Sequence, residues 1–114
     1  MDIIVNDNKL RRSLETESAQ KRTYGADMAG KLRLRLAALR AAESLADFWP
    51  PKSLPERCHE LEGERKGTFS IDLKQPFRLI FQPTNSRADE QSDEQQWWGC
   101  ITEIEIISIE DTHG

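Results

Sequence analysis

The segment from Arg57 to Phe81, RCHELEGERKGTFSIDLKQPFRLIF, constrains the fold most, because apolar and polar residues alternate through it with a period of two. Phe69, Ile71 and Leu73 alternate with Ser70, Asp72 and Lys74, and further on Phe77, Leu79 and Phe81 share one parity while Arg78 and Ile80 take the other. Successive side chains of a strand point to opposite faces, so the pattern predicts two half-buried strands, Thr68 to Lys74 and Phe77 to Gln82. Gln75-Pro76 joins them. Proline has no N–H to donate and suits a turn or the first residue of a strand. The expectation is an antiparallel hairpin with one core face and one solvated face carrying Ser70, Asp72, Lys74 and Arg78.

The rest of the chain supplies helices and further strands. Ile3, Ile4 and Val5 form a β-branched run suited to an edge strand. Asn6 to Asn8 offer a helix N-cap, and Lys9 to Tyr24 then runs without proline or glycine until Gly25 stops it, its apolar stripe of Leu10 and Leu14 being thin. A second helix, roughly Ala26 to Ala42, places Met28, Leu32, Leu36 and Leu39 on one face and Lys31, Arg33 and Arg35 on the outer one. Ser44 to Phe48 reads as one more helical turn, and the prolines at 50, 51 and 55 make residues 49–57 a connecting loop. Gln82 to Gln96 is acidic and poor in apolar residues, which predicts a long mobile loop before Trp97 and Trp98 re-enter the fold. In the last strand, Ile101 to Ile109, Ile104 and Ile106 have one parity and Ile107 and Ile109 the other. Either both faces are covered there, or a bulge lies near Ile106-Ile107.

A chain of 114 residues is long enough for one domain, taken as residues 1–114. With 37% hydrophobic and 32% charged residues, its core should be small and its surface crowded with charge. The net charge of −4 conceals a polarity: residues 1–55 carry 10 Lys/Arg against 7 Asp/Glu, and residues 56–114 carry 6 against 13. A protein binding RNA through its sheet half would be basic there, since phosphate neutralisation by cations supplies most of the affinity, so the acidic second half argues against nucleic-acid binding. No apolar run approaches the ~20 residues of a membrane span, and the start lacks the basic and apolar regions of a signal peptide. The expected location is the cytoplasm, with Cys58 and Cys100 reduced. Cys58 and His59 are neighbours on an extended segment and point to opposite sides, so they do not make a proton-sharing dyad. Two histidines and two cysteines without C-x-x-C or H-x-x-x-H spacing propose no metal site.

The order His59, Leu61, Gly63, Glu64, Arg65, Gly67, then Phe69-Ser70-Ile71, then Phe77-Arg78-Leu79-Ile80-Phe81, and finally Glu110-Asp111-Thr112-His113, resembles a HigB-type toxin of the RelE/ParE superfamily. The family pattern is close to H-x-L-K-G-[DE]-R-x-G, then W/R-I-x-F, then a terminal D-Y-H. The resemblance implies an α+β RelE/ParE-like fold, two N-terminal antiparallel helices packed on a mainly antiparallel sheet of about four strands. It further implies the toxin half of a type II toxin–antitoxin pair that cleaves messenger RNA on the ribosome through attack of a 2′-hydroxyl on the adjacent phosphate. The implied partners are a HigA-like helix-turn-helix antitoxin, the ribosome and its mRNA, with operator DNA reached only through the antitoxin. No cofactor or metal is needed.

Carried over residue by residue, His59 and His113 match the family's histidines for proton transfer. Arg78 matches the cation that steadies the phosphorane, Asp111 supports the terminal histidine, and Arg65 and Lys74 fall at phosphate-contacting positions. Glu62 stands where the family commonly has lysine, and Thr112 where it has tyrosine. Three readings remain open on these residues: a ribosome-dependent endoribonuclease, a catalytically weak or inactive module that binds an antitoxin and co-represses its operon, and a ParE-like gyrase inhibitor.

Overall fold

The computed structural model describes residues 1–87 and 93–111. Its five strands, β1 (Asp2–Ile4), β2 (His59–Glu60), β3 (Phe69–Asp72), β4 (Phe77–Pro83) and β5 (Glu103–Asp111), form one sheet in the order β1-β5-β4-β3-β2. Only the β1–β5 pair is parallel; the other three are antiparallel. The expected edge strand at the start of the chain is present, and the count is five because the two-residue β2 adds an outer rung.

The stretch expected as one helix from Lys9 to Tyr24 is two, α1 (Asn8–Leu14) and α2 (Glu17–Tyr24). Thr16 makes the break. Its backbone is extended, and its hydroxyl accepts from the Ala19 amide, an N-cap inside a run that contains neither proline nor glycine. Asp7 caps α1 in the same way through the Leu10 amide. Gly25, at φ +85, ends α2 with its N–H on the Lys21 carbonyl, and α3 (Ala26–Ala41) starts at once.

Met28, Leu32, Leu36 and Leu39 of α3 are buried as their spacing predicts, against Phe69, Ile71, Leu79, Phe81, Ile104 and Ile106 of the sheet. Aromatic rings centre this core: Phe69 stacks on Phe81 at 5.8 Å, and Trp98 meets Phe69 and Trp49 edge-on at 5.7 and 5.1 Å. Trp98 comes from α4 (Glu94–Gly99), which Asp93 caps. Part of the expected acidic loop is therefore helix, drawn in by two tryptophans; residues 88–92 of that loop lie outside the described residues.

Two expectations about exposure are corrected. Arg35, read as an outer-face charge, is 7% exposed, and it donates from Nε to the Asp72 carbonyl at 2.7 Å and from Nη2 to the Pro55 carbonyl at 3.3 Å. It ties α3 to the end of β3. The second face of the hairpin is solvated only in part: Ser70 and Ile80 are fully buried and Asp72 nearly so, Arg78 is partly covered, and Lys74 is exposed. Ile80 stands apart from the helix-packed core cluster, which identifies a second, polar-lined side to the sheet.

The phase change in β5 is a bulge. Phe81 faces Ile106 while Ile80 faces Ser108, so Ile107 is the extra residue and remains partly exposed. Truncating the fully buried Leu32 to alanine is expected to cost about 3 kcal/mol of unfolding free energy. Thr16→Ala should cost about 1 kcal/mol through the lost cap. Urea denaturation followed by circular dichroism measures both.

Candidate active site

Residues directly opposite one another in antiparallel strands share a face, and the register of β2 to β5 therefore decides which candidates meet. One row across the sheet is His59, Ser70, Ile80 and Ser108; the next, two residues along β3, is Asp72, Arg78 and Glu110. His59 and Arg78 thus lie on the same polar face, with Cα atoms about 12 Å apart from strand spacing and rise. Asp111 pairs with Phe77, so it projects to the other side of the sheet from Arg78. The residue that shares a face with Arg78 is its neighbour Glu110.

His59 is half-buried, and its Nδ1 lies 2.8 Å from the Arg57 carbonyl. A carbonyl only accepts, so Nδ1 carries the hydrogen, and in the neutral ring Nε2 is the nitrogen able to take a proton. The ring borders a cleft of about 370 Å³ lined also by Pro51, Lys52, Glu60, Leu61, Glu62 and Glu94. Glu62, where the family pattern has lysine, places its negative charge beside the histidine.

The cations on this face are held by carboxylates. Arg78 Nε approaches Asp72 Oδ1 at 3.8 Å and Arg57 Nη1 approaches Asp72 Oδ2 at 3.5 Å. Arg65, on a 3-10 turn at Gly63–Arg65, folds back over the sheet to grip Glu110 with two bonds, Nη1–Oε1 2.8 Å and Nη2–Oε2 2.7 Å. The Ser108 hydroxyl donates to the same carboxylate. These bonds, Arg65 first and Ser108 second, hold the Glu110 carboxyl below its ordinary range, and the Glu110 bond in turn raises Arg65. Three guanidiniums face two carboxylates, which leaves a net charge of +1 on the cluster. Among the described residues, Ser70 Oγ, Asp72 Oδ1 and Arg78 Nε are buried without a hydrogen-bond partner.

Lys74 is not part of this group. It lies beyond the end of β3, four residues from Ser70, and its Nζ pairs with Asp27 Oδ2 at 3.0 Å at the start of α3. Thr112 and His113 lie outside the described residues. Reading the sequence alone missed Arg57 and Glu110 and took Asp72 for a surface charge; the signal available was parity, since Asp72 and Arg78 alternate with the core residues of their strands. Burial pushes the Cys58 thiol well above its ordinary range, with Glu56 adding to the shift, and this excludes it as a thiolate nucleophile near neutral pH. No group of three His, Cys, Asp or Glu side chains among the described residues could hold a metal ion.

The helices pack on one face of this sheet, and His59 and Arg78 lie on the other. The fold matches the solved YoeB/ParE toxin from Agrobacterium tumefaciens with a TM-score of 0.57 over 99% of this chain and 100% of that one, at 12% identity. Residues 4–93 match the family described as the RelE-like toxin of the type II toxin-antitoxin system HigB, and the chain belongs to that family. No curated protein matches it. Membership in a type II toxin family implies an antitoxin as its protein partner.

Glu110 ties site electrostatics to stability. Its carboxyl is depressed in the folded protein, so its contribution is present above the unfolded value of about 4.3 and is lost as pH falls through the folded value. Melting temperature measured from pH 6 down to pH 3 should therefore fall less steeply in Glu110→Gln than in wild type. The two thiols give a second check: only the exposed Cys100 should react with Ellman's reagent in native protein, and both should react after denaturation.

Proposed function

We propose that the protein is a ribosome-dependent mRNA endoribonuclease, acting in the cytoplasm and silenced by a HigA-like helix-turn-helix antitoxin through which alone it reaches operator DNA. The observation that carries this reading is the strand register that sets His59 and Arg78 on one polar face, with the His59 tautomer leaving Nε2 to take a proton. In the reaction the 2′-hydroxyl gives its proton to a base as its oxygen attacks the adjacent phosphorus. The P–O5′ bond then breaks, the 5′-oxygen takes a proton, and a 2′,3′-cyclic phosphate and a 5′-hydroxyl end result.

His59 suits the base. Arg78, 20% exposed at its side chain, offers a fixed charge to the phosphorane's added negative charge. His113 is proposed as the acid, Arg65 as a second phosphate contact, and Lys74 as a contact to more distant RNA backbone; Asp111, which projects to the far side of the sheet from Arg78, supports His113 only if the chain beyond β5 turns back toward that side. The net +1 of the cluster is a small electrostatic attraction for a polyanion. It suits an enzyme whose substrate is presented by the ribosome better than one that captures free RNA.

One observation favours a second reading. Glu60, Glu62 and Glu94 line the cleft beside His59, and like charges there repel a phosphodiester. On this reading the chain is a weakened toxin whose remaining work is antitoxin binding and operon repression.

Cleavage on programmed, translating ribosomes separates the two. Arg78→Ala and His59→Ala should each slow cleavage by on the order of 100-fold or more, and Lys31→Ala, on α3, should not change it. Replacing Glu62 by lysine should speed cleavage. Intact mRNA with wild type and Glu62→Lys alike, while the antitoxin still binds, would establish the second reading.

A further inference from the structure

The bidentate Arg65–Glu110 pair has the geometry with which a guanidinium grips a phosphodiester: two parallel N–H···O bonds to two oxygens sharing one negative charge. Glu110 is the cross-strand partner of Arg78, so the carboxylate that holds Arg65 stands on the same face as Arg78 and His59. We infer that Glu110 occupies the position of a substrate phosphate and positions Arg65 until RNA displaces it. This inference rests on the endoribonuclease reading and adds a positioning residue to it.

Three observations support displacement over a purely structural role. The pair is only partly covered, Arg65 being 43% and Glu110 33% exposed at the side chain, and ion pairs of that exposure contribute little net stability, so a competing anion meets a small cost. In the neighbouring row of the same face, Ser70 Oγ is buried without a hydrogen-bond partner among the described residues, a hydroxyl with capacity to spare for an anion. Ser108, which donates to Glu110 and stands in the row with Ser70 and His59, anchors the carboxylate when it is in place. With Glu110 in place the cluster carries +1, and with Glu110 neutralised it carries +2. The carboxylate therefore suppresses affinity for RNA that the ribosome has not positioned.

The test is the affinity of a 2′-O-methyl RNA octamer, measured by fluorescence anisotropy as a function of salt. Without an attacking hydroxyl it reports binding apart from cleavage, so failure of the nuclease reading shows separately in the ribosome assay. Glu110→Gln should bind about threefold to tenfold more tightly, with a salt dependence steeper by about 0.7, one added phosphate contact to a single strand. Arg65→Ala should cancel the gain: the double variant should bind like Arg65→Ala alone. A gain that survives in the Arg65→Ala background overturns the inference, since the effect is then general charge, and so does a Glu110→Gln that binds no better than wild type. Glu110→Ala is a second variant with the same expected gain. In wild-type protein the Arg65 side-chain Nε–H resonance should shift on adding the octamer; a resonance that stays in place also overturns the inference.

Discussion

The stacking of Phe69 on Phe81 is the contact on which the rest of the structure depends. The two residues are direct cross-strand partners as well as ring neighbours, so their contact fixes the register of β3 against β4. With period-two alternation, fixing one pair fixes all of them: a slip by one residue would move Arg78 and Asp72 into the helix-packed core and Leu79 and Ile71 out of it. Trp98 closes over the pair from α4, and the Leu stripe of α3 covers the remainder. The apolar face thereby dictates the polar face.

That polar face is an example of buried charge kept affordable by pairing. Asp72 is almost completely buried and would be costly alone, yet its two oxygens face Arg57 and Arg78, and its backbone carbonyl receives Arg35 from the opposite side. Arg35, Arg57 and Arg78 thus converge on one residue from α3, the 49–57 connection and β4. The same arrangement holds Arg78 in a defined place, which is what stabilising a transition-state charge requires.

How much of this was legible in the sequence follows from the range of each signal. The hairpin, the α3 stripe and the Gly25 stop were readable because each is local, a period or a glycine, while the parity change in the last strand left a bulge near Ile106-Ile107 as one of two readings that the register decides. The Thr16 break was not anticipated, because a threonine N-cap inside a helix-compatible run looks like any other polar residue until its backbone turns extended. The short helix at Glu94–Gly99 was hidden by its acidic flank, although Asp93 and the two tryptophans are the features that make it. The site was legible by type and not by partnership. His59 and Arg78 were named as candidates from motif order and the register puts them on one face, but Glu110 was overlooked beside Asp111, since only the register shows which of two adjacent acids shares the arginine's face. Arg35 was misplaced because helical periodicity does not reveal that a carbonyl waits within reach of its guanidinium.

The central claim is that His59 and Arg78 act on one RNA phosphate by transfer to the neighbouring 2′-oxygen. The most direct measurement is the chemistry of the mRNA ends produced on translating ribosomes. The account predicts 2′,3′-cyclic phosphate on the upstream fragment and 5′-hydroxyl on the downstream one, with both lost in Arg78→Ala. Fragments bearing 3′-hydroxyl and 5′-phosphate, which require water rather than the ribose as nucleophile, would contradict it.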